Sequence, residues 1–178
     1  RVVPATPDLS PGRLELLATP VAGPTGREGK PLRASLSPAE ASQITLEADF
    51  VWRLEVCGEG VWAPAEVVEA GARAEDLVLR VYPLGSVSLR LVGGSPGKSP
   101  ERVAGRVQSP PGKPGPPGTP IACELEGAEV RCPVPAVPLD IQIKVAGHAG
   151  LYFWEVIPRP GELLDLGPHG LVPGASLV

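Results

Sequence analysis

The sequence lacks several features on which other classes of protein depend. It contains no methionine and no asparagine, and only three tryptophans, two tyrosines and two phenylalanines. Without asparagine there is no acceptor for N-linked glycosylation. No apolar run reaches the roughly 18 residues of a membrane-spanning helix, so we expect no membrane insertion. The net charge is −4 and no basic cluster occurs, which argues against a nucleic-acid partner.

Residue usage also bears on the origin of the chain. The chain begins with Arg1 rather than methionine, as expected of a mature or excised piece from which any signal peptide has been removed. Lysine is scarce beside arginine and asparagine is missing, a bias that fits a GC-rich bacterial genome. We therefore expect a bacterial protein.

Proline and glycine are abundant instead, with 24 and 22 of the 178 residues. Between these breakers the apolar residues alternate with polar ones, and 43% of the chain is hydrophobic. Many short strands separated by Pro/Gly turns account for both facts. No stretch indicates a long helix, so the sequence predicts an all-β protein.

One stretch of the chain occurs twice. Residues 52–68 match residues 141–157 at an offset of 89 with no gap, and both read as strand, glycine turn and returning strand. The identical pairs include Val56 and Val145, Gly58 and Gly147, Glu66 and Glu155, and Val67 and Val156. Since 89 residues suit a small β-sandwich, we expect two tandem units, residues 1–83 and 84–178.

The boundary between the units is placed where Pro83 and Gly85 are expected to interrupt a strand. The segments 13–17 and 171–178 are predicted to be edge strands near the two ends of the chain, able to pair with neighbouring chains. The proline-rich segment 109–120 contains three Gly-X-Y triplets. These are too few for a collagen helix, so an extended loop is expected.

The clearest hairpin spans residues 121–133, with Gly127 first in a two-residue type II′ turn. In this register Glu124 faces Arg131, a favourable cross-strand pair, and Cys123 faces Cys132. A disulfide between these cysteines is geometrically feasible, and two reduced thiols are the alternative. A metal site is disfavoured because no CxxC spacing exists and the chain has two histidines. Cys57 is expected to be a free, inert thiol.

Two segments resemble catalytic motifs and fail on chemistry. Residues 93–97 match G-x-S-x-G, but the residue after the serine must donate a backbone N–H and Pro96 has none. Lys98 follows a glycine as in a phosphate-binding loop, but Val92 stands where that loop requires a glycine.

Isolated polar residues give no better evidence of catalysis. Glu66 and Glu155 recur at one repeat position and would lie in different units, so joint acid–base chemistry is not expected. His148 and His169 fall in predicted turns without partners at ligand spacing. The sequence therefore predicts no catalytic, cofactor-binding or metal-binding residue, and no enzyme.

The aromatic residues allow two interpretations. Trp62, Tyr152 and Trp154 flank the returning strands of the repeat, with Phe153 between the last two. Aromatic residues in such positions cover a sandwich core or a domain junction, or they form an exposed platform on which sugar rings stack.

The second unit is similar to a known family. The stretch RCPVPAVPLDIQIKVAGHAGLYFWEVI, followed by LLDLGPHGLVPGASLV, resembles the carboxypeptidase regulatory-like (transthyretin-like) domain that occurs in arrays on bacterial secreted proteins. The resemblance covers residues 84–178 and the second half of the first unit, and the loop 109–120 is longer than the family pattern. It implies Ig-like, Greek-key β-sandwiches that are usually non-catalytic.

Together these features predict a secreted or cell-surface structural or adhesive module, located outside the cell or in the periplasm. It would serve as a spacer or as an assembly subunit that forms filaments through edge strands. Its partners would be neighbouring domains or identical subunits. The alternative is a carbohydrate-binding module that holds a polysaccharide on Trp62, Tyr152 and Trp154.

Overall fold

The described part of the chain consists of β-strands and connecting loops. A computed structural model describes residues 2–6, 9, 12–37, 42, 44–71, 77–93, 102–113 and 115–174. Within these ranges no helix forms, so the all-β prediction is confirmed, and nothing in them could span a membrane as a helix. The strands are β1 (Val2–Pro4), β2 (Leu14–Ala22), β3 (Leu32–Leu36), β4 (Val51–Gly58), β5 (Val61–Trp62), β6 (Glu66–Val68), β7 (Leu79–Val92), β8 (Val103–Gln108), β9 (Thr119–Ile121), β10 (Glu124–Glu126), β11 (Glu129–Pro135), β12 (Leu139–Val145), β13 (Leu151–Val156) and β14 (Leu163–Gly170).

The strands form two compact units, Arg1–Pro83 and Leu84–Val178. In the first unit β3, β2, β4 and β6 make an antiparallel sheet in that order. The first residues of β7 pair with β1 and β5. Strand β4 shows how the sequence builds this unit, because Trp52, Leu54 and Val56 are buried whereas Arg53 is exposed. This period of two directs one side of the strand into the core.

The second unit contains two four-stranded sheets. Strands β14, β7, β11 and β10 form one of them, and β13, β12, β8 and β9 form the other. Side chains from both sheets are fully buried, among them Val87, Leu89, Val130, Ile141 and Ile143. Each such aliphatic side chain contributes roughly 1.5–3 kcal/mol when it leaves water. This two-layer packing is that of a β-sandwich.

The two units share the strand order of one sheet and the parallel pairing of their first and last strands. The sheet β9-β8-β12-β13 repeats the connectivity of β3-β2-β4-β6, and in each unit the first strand pairs in parallel with the last. The offset of 89 aligns β4 with β12 but not the returning strands. Arg53 pairs with Val67, whereas Gln142, its counterpart at that offset, pairs with Tyr152. The recurrence of Glu66 and Glu155 is therefore not a structural equivalence.

Strand β7 differs from the interrupted strand expected around Pro83 and Gly85. It runs without a break from Leu79 to Val92. Of the strands that pair with β7, only β5 reaches Pro83, opposite Val61. A proline without its N–H is tolerated in a strand at such a position, where a partner is present on one side only.

One of the two predicted edge strands is wrong, and the other is only partly described. Strand β2, which contains residues 14–17, is paired with β3 on one side and β4 on the other. It is a central strand because its alternating apolar residues are buried, Leu14 and Leu16 among them. Among the described residues β14 is the last strand, and of residues 171–174 only Pro173 makes a bridge, to His148. Residues 175–178 of the second predicted strand lie outside the described residues.

The hairpin β10–β11 has the register expected from the sequence, with Glu124 opposite Arg131. Gly127 has φ 61° at the turn, a value that glycine adopts without strain. Pro133 and Pro135 belong to β11. They are tolerated there because β10 begins at Glu124, opposite Arg131, so β7 is their partner strand on one side only.

A disulfide joins Cys123 to Cys132, and the latter is almost fully buried. Gly105 on β8 makes room for it, since a Cβ there would lie 2.7 Å from the Cys123 sulfur. Residues 94–97 of the G-x-S-x-G match lie outside the described residues.

The disulfide predicts a redox-dependent stability. Replacing both Cys123 and Cys132 with alanine should lower the free energy of unfolding by roughly 2–3 kcal/mol, because the nine-residue separation closes a short loop in the unfolded chain. Thermal unfolding followed by circular dichroism, with and without dithiothreitol, measures this change. Reductant should destabilise the native chain and a Cys57→Ala control. A native melting temperature that is insensitive to reductant would contradict the stabilising role.

The burial of Tyr82 predicts that the stability of the first unit depends on pH. Burial raises the pKa of the Tyr82 hydroxyl above its ordinary value, and the charge of Arg80 opposes part of the rise. The contribution of Tyr82 to stability is therefore complete below the unfolded-state pKa of about 10. It is lost as pH rises through the higher folded-state pKa.

Alkaline titration tests this prediction cleanly, because the chain has two tyrosines. In a Tyr152→Phe variant the tyrosinate absorbance reports Tyr82 alone. Its midpoint should lie above that of the same variant in denaturant. Equal midpoints would show that the hydroxyl is not desolvated by the fold.

Candidate binding face

The outward surface of β8, β12 and β13 brings together aromatic and polar side chains. Gln142 occupies the centre of this surface, because β12 pairs with β8 on one side and β13 on the other. Its partners in the two ladders are Arg106 and Tyr152. Successive residues of a strand point to opposite sides, so Trp154 lies on the same side as Tyr152. We call these four side chains the binding face.

Two aromatic rings dominate the binding face. The rings of Tyr152 and Trp154 are nearly parallel, at 13°, with their centroids 6.2 Å apart. Their exposed fractions are 56% and 68%, whereas large aromatic side chains are usually mostly buried. Phe153 between them points to the other side, where its ring meets His169 edge-on at 4.7 Å. The strand therefore anchors one aromatic residue inside and presents two outside.

Polar groups fix the orientation of these side chains. The Gln142 side-chain amide donates a hydrogen bond to the Tyr152 hydroxyl. Because the oxygen accepts this bond, the phenol hydrogen can be donated elsewhere. Arg106 donates to the carbonyl oxygen of Gly118 at 3.0 Å, which holds the guanidinium on the surface. The face thus combines flat apolar rings with oriented hydrogen-bonding groups.

A bulge lies beside the aromatic pair. The register between β12 and β13 shifts near Leu139, and Glu155 has φ 49°, in the left-handed region. The buried carboxylate of Asp140 accepts a hydrogen bond from the Glu155 backbone N–H at 2.9 Å and so supports this conformation. The Glu155 carboxylate is 3.0 Å from the Lys113 ammonium. Both carboxylates are therefore already engaged within the fold.

An open groove of about 810 Å³ continues the binding face. Gln142 and Tyr152 line both this groove and a smaller cleft that contains Arg106 and Trp154. Arg102, Lys144 and His148 also line the groove, and none of its described lining residues is an aspartate or a glutamate. His148 is held by its Nδ1, which is 2.9 Å from the Ala146 carbonyl oxygen. The groove is therefore cationic, although the whole chain carries a net charge of −4.

The aromatic residues predicted from the sequence do not form one group. Tyr152 and Trp154 share the binding face, whereas Trp62 belongs to the first unit. Trp62 is half-buried and contacts the buried Tyr82 edge-on at 5.8 Å. Trp62 is therefore not part of the binding face, and the sugar-stacking hypothesis for this face concerns Tyr152 and Trp154.

The histidines and cysteines have distinct environments. His148 lies at the turn after β12, as expected, whereas His169 is a half-buried residue of β14 rather than a turn residue. Cys123 lines the groove and is bonded to Cys132, and Cys57 is a free, exposed thiol. Within the described residues no three His, Cys, Asp or Glu side chains converge as metal ligands would.

The cations of the groove were missed in the sequence analysis. The pattern of β12, with Gln142 and Lys144 between buried residues, identifies them as outward-facing. Arg102 and Arg106 join them only because β8 is the neighbour of β12. That neighbour relation joins strands more than thirty residues apart in the chain, and no local sequence pattern encodes it.

Comparison with known proteins gives no family. No family model and no curated protein matches the chain. Among solved structures, the chain is similar to GBS52, the minor pilin of Streptococcus agalactiae, with 13% identity over 95% of this chain and 87% of that one and a TM-score of 0.32. It is also similar to the Bacillus anthracis TIE protein, with 11% identity over 96% of this chain and 33% of that one and a TM-score of 0.34. At these TM-scores neither similarity bears on what the chain does.

Proposed function

We propose that this chain is a non-catalytic structural and adhesive module of a protein at the cell surface, outside the cell or in the periplasm. The observation that carries the proposal is the Tyr152–Trp154 pair, two parallel rings more than half exposed on a well-packed sheet. Exposed aromatic side chains on a rigid surface are typical of contact sites rather than of reaction centres.

The scaffold supports a structural role. One sheet has the same strand order in both units, and β7 contributes residues to both units. We infer that they are tandem copies of one β-sandwich module, of the kind that the carboxypeptidase regulatory-like resemblance implies. Such copies extend a protein by repetition.

The disulfide supports the location. Cys123 and Cys132 are bonded, and disulfides of this kind persist in oxidising compartments such as the periplasm and the extracellular space. A bacterial protein of the cytoplasm would keep the two thiols reduced. A disulfide would therefore stabilise such a module outside the cytoplasm.

The partners that suit this module are neighbouring domains and identical subunits. β13 pairs with β12 alone among the described strands, so the ring pair lies at the margin of its sheet. A second copy could cover both rings there. Their burial would supply the apolar centre that stable interfaces have.

Carbohydrate binding is the second candidate function. The rings of Tyr152 and Trp154 are stacked within 13° of parallel, and the exposed flat surface of such a pair suits the apolar face of a sugar ring. Gln142 and the Tyr152 hydroxyl lie beside them and can bond to sugar hydroxyl groups. This candidate uses the same face without requiring self-assembly.

Self-association tests the structural proposal. Sedimentation velocity over a wide concentration range should reveal oligomers of the native chain, and Trp154→Ala should shift the equilibrium toward monomer by about tenfold, as removal of a buried interface aromatic does. Val67→Ala, at an exposed residue of the first unit, is the matched control and should behave as native. Electron microscopy of the most concentrated sample would show whether the oligomers are filaments.

Two results would count against this function. A native chain that is monomeric at every concentration would contradict assembly through the face. Oligomers that persist unchanged in Trp154→Ala would show that the face is not the contact.

A further inference from the structure

We propose that the cationic groove and the aromatic pair together bind an acidic polysaccharide, a chain of sugars that carry carboxylate groups. This inference rests on the proposed adhesive function and names the ligand that the same face would hold. The groove and the ring pair form one continuous site. Gln142 and Tyr152 line the groove and also the adjoining cleft, which contains Trp154.

The charges in the groove are unusual for this chain. Acidic residues outnumber basic ones by 20 to 16 in the sequence, yet the described residues that line the groove include two fixed cations and no carboxylate. These cations are Arg102 and Lys144, both exposed, and neither belongs to an ion pair among the described residues. Arg106 adds a third positive group at the adjoining cleft. Their charges are therefore available to an anionic ligand.

One of the described residues that line the cleft is acidic, and its carboxylate is buried. Asp140 is 6% exposed, and its Oδ1 accepts the Glu155 backbone N–H. Leu125 is the only β10 residue in the groove lining, and Glu124 and Glu126 beside it alternate to the other side of the strand. A ligand in the groove meets the cations first.

The aromatic pair discriminates between classes of anion. A simple phosphate or an acidic peptide needs the cations but has no use for two flat parallel rings. A sugar chain has apolar C–H faces that stack on Tyr152 and Trp154, and hydroxyl groups that bond to Gln142. Carboxylate groups along the same chain would meet Lys144 and Arg102, because these residues lie further along the same outward surface.

Polygalacturonate is a suitable probe, and its fully methyl-esterified form is the matched neutral polymer. Isothermal titration of the intact chain should give binding to polygalacturonate that is weakened by salt, since exposed charges are screened. The ester should bind at least about threefold more weakly, because it keeps the sugar rings and loses the charges.

Single variants separate the two halves of the site. Trp154→Ala should lower affinity for both polymers by about tenfold. Lys144→Gln should lower affinity by about threefold for polygalacturonate and leave the ester unchanged. Lys30→Gln, which removes the same charge in the first unit, should behave as native. Circular dichroism checks that every variant is folded, as expected for exposed positions.

Several outcomes would overturn the inference. These are no binding of polygalacturonate, equal binding of the ester, equal binding of polyglutamate, or affinity that does not depend on Trp154. Equal binding of polyglutamate would identify a site for acidic peptides instead. If self-association depends on Trp154 while no polysaccharide binds, the ligand assignment fails and the structural function stands. If polysaccharide binds and the chain stays monomeric, assembly fails and the ligand assignment stands.

Discussion

The pairing of β12 on both of its sides is the constraint on which the binding face depends. Ile141, Ile143 and Val145 are buried in the sandwich, so a strand with a period of two must turn Gln142 and Lys144 outward. The ladders with β8 and β13 then set the neighbours of Gln142. A shift of one residue in either ladder would exchange buried and exposed side chains along the whole strand. Burial of the core thus determines the composition of the surface.

The bulge at Glu155 limits how the margin of this sheet can be used. Regular edge strands invite pairing by another strand, and bulges discourage it because they disturb the row of free N–H and C=O groups. At Glu155 the backbone N–H is taken by Asp140, so it is not free to extend the sheet. Contact through the rings of Tyr152 and Trp154 avoids this obstacle, because side chains rather than backbone would make it. The structure therefore favours a contact surface over an added strand.

Local sequence patterns were sufficient for some elements and insufficient for others. The hairpin register followed from a two-residue glycine turn and one charge pair, Glu124 with Arg131, because hairpins are determined by adjacent residues. The continuity of β7 through Pro83 could not be read in this way. A proline breaks a strand or is tolerated in it according to which partners lie alongside, and those partners come from distant parts of the chain.

The candidate site was predictable to a similar extent. Tyr152 and Trp154 were identified from their alternate positions on one strand, which is local information. Trp62 was grouped with them although it lies in the other unit, in contact with the buried Tyr82, because the sequence does not reveal the partner of each aromatic ring. The cations of β8 were not foreseen, since they reach the face only through sheet order. The fold class could therefore be predicted from the sequence more completely than the set of side chains that meet on the binding face.

The first unit provides an internal comparison for the face. Its β4 has Arg53 and Glu55 at the positions of Gln142 and Lys144, and these two form an ion pair of 2.8 Å. Opposite Arg53 stands Val67, where the second unit has Tyr152. The two sheets have the same strand order but different outward surfaces. In the first unit the charges of the surface are paired and no rings are stacked, whereas in the second unit the surface is cationic and has two stacked rings. Packing of the core requires neither arrangement, since both surfaces face outward. We expect a specific contact to form at the surface where the two similar sheets differ. One fold supports many functions, and the chemistry of its surface determines which of them it has.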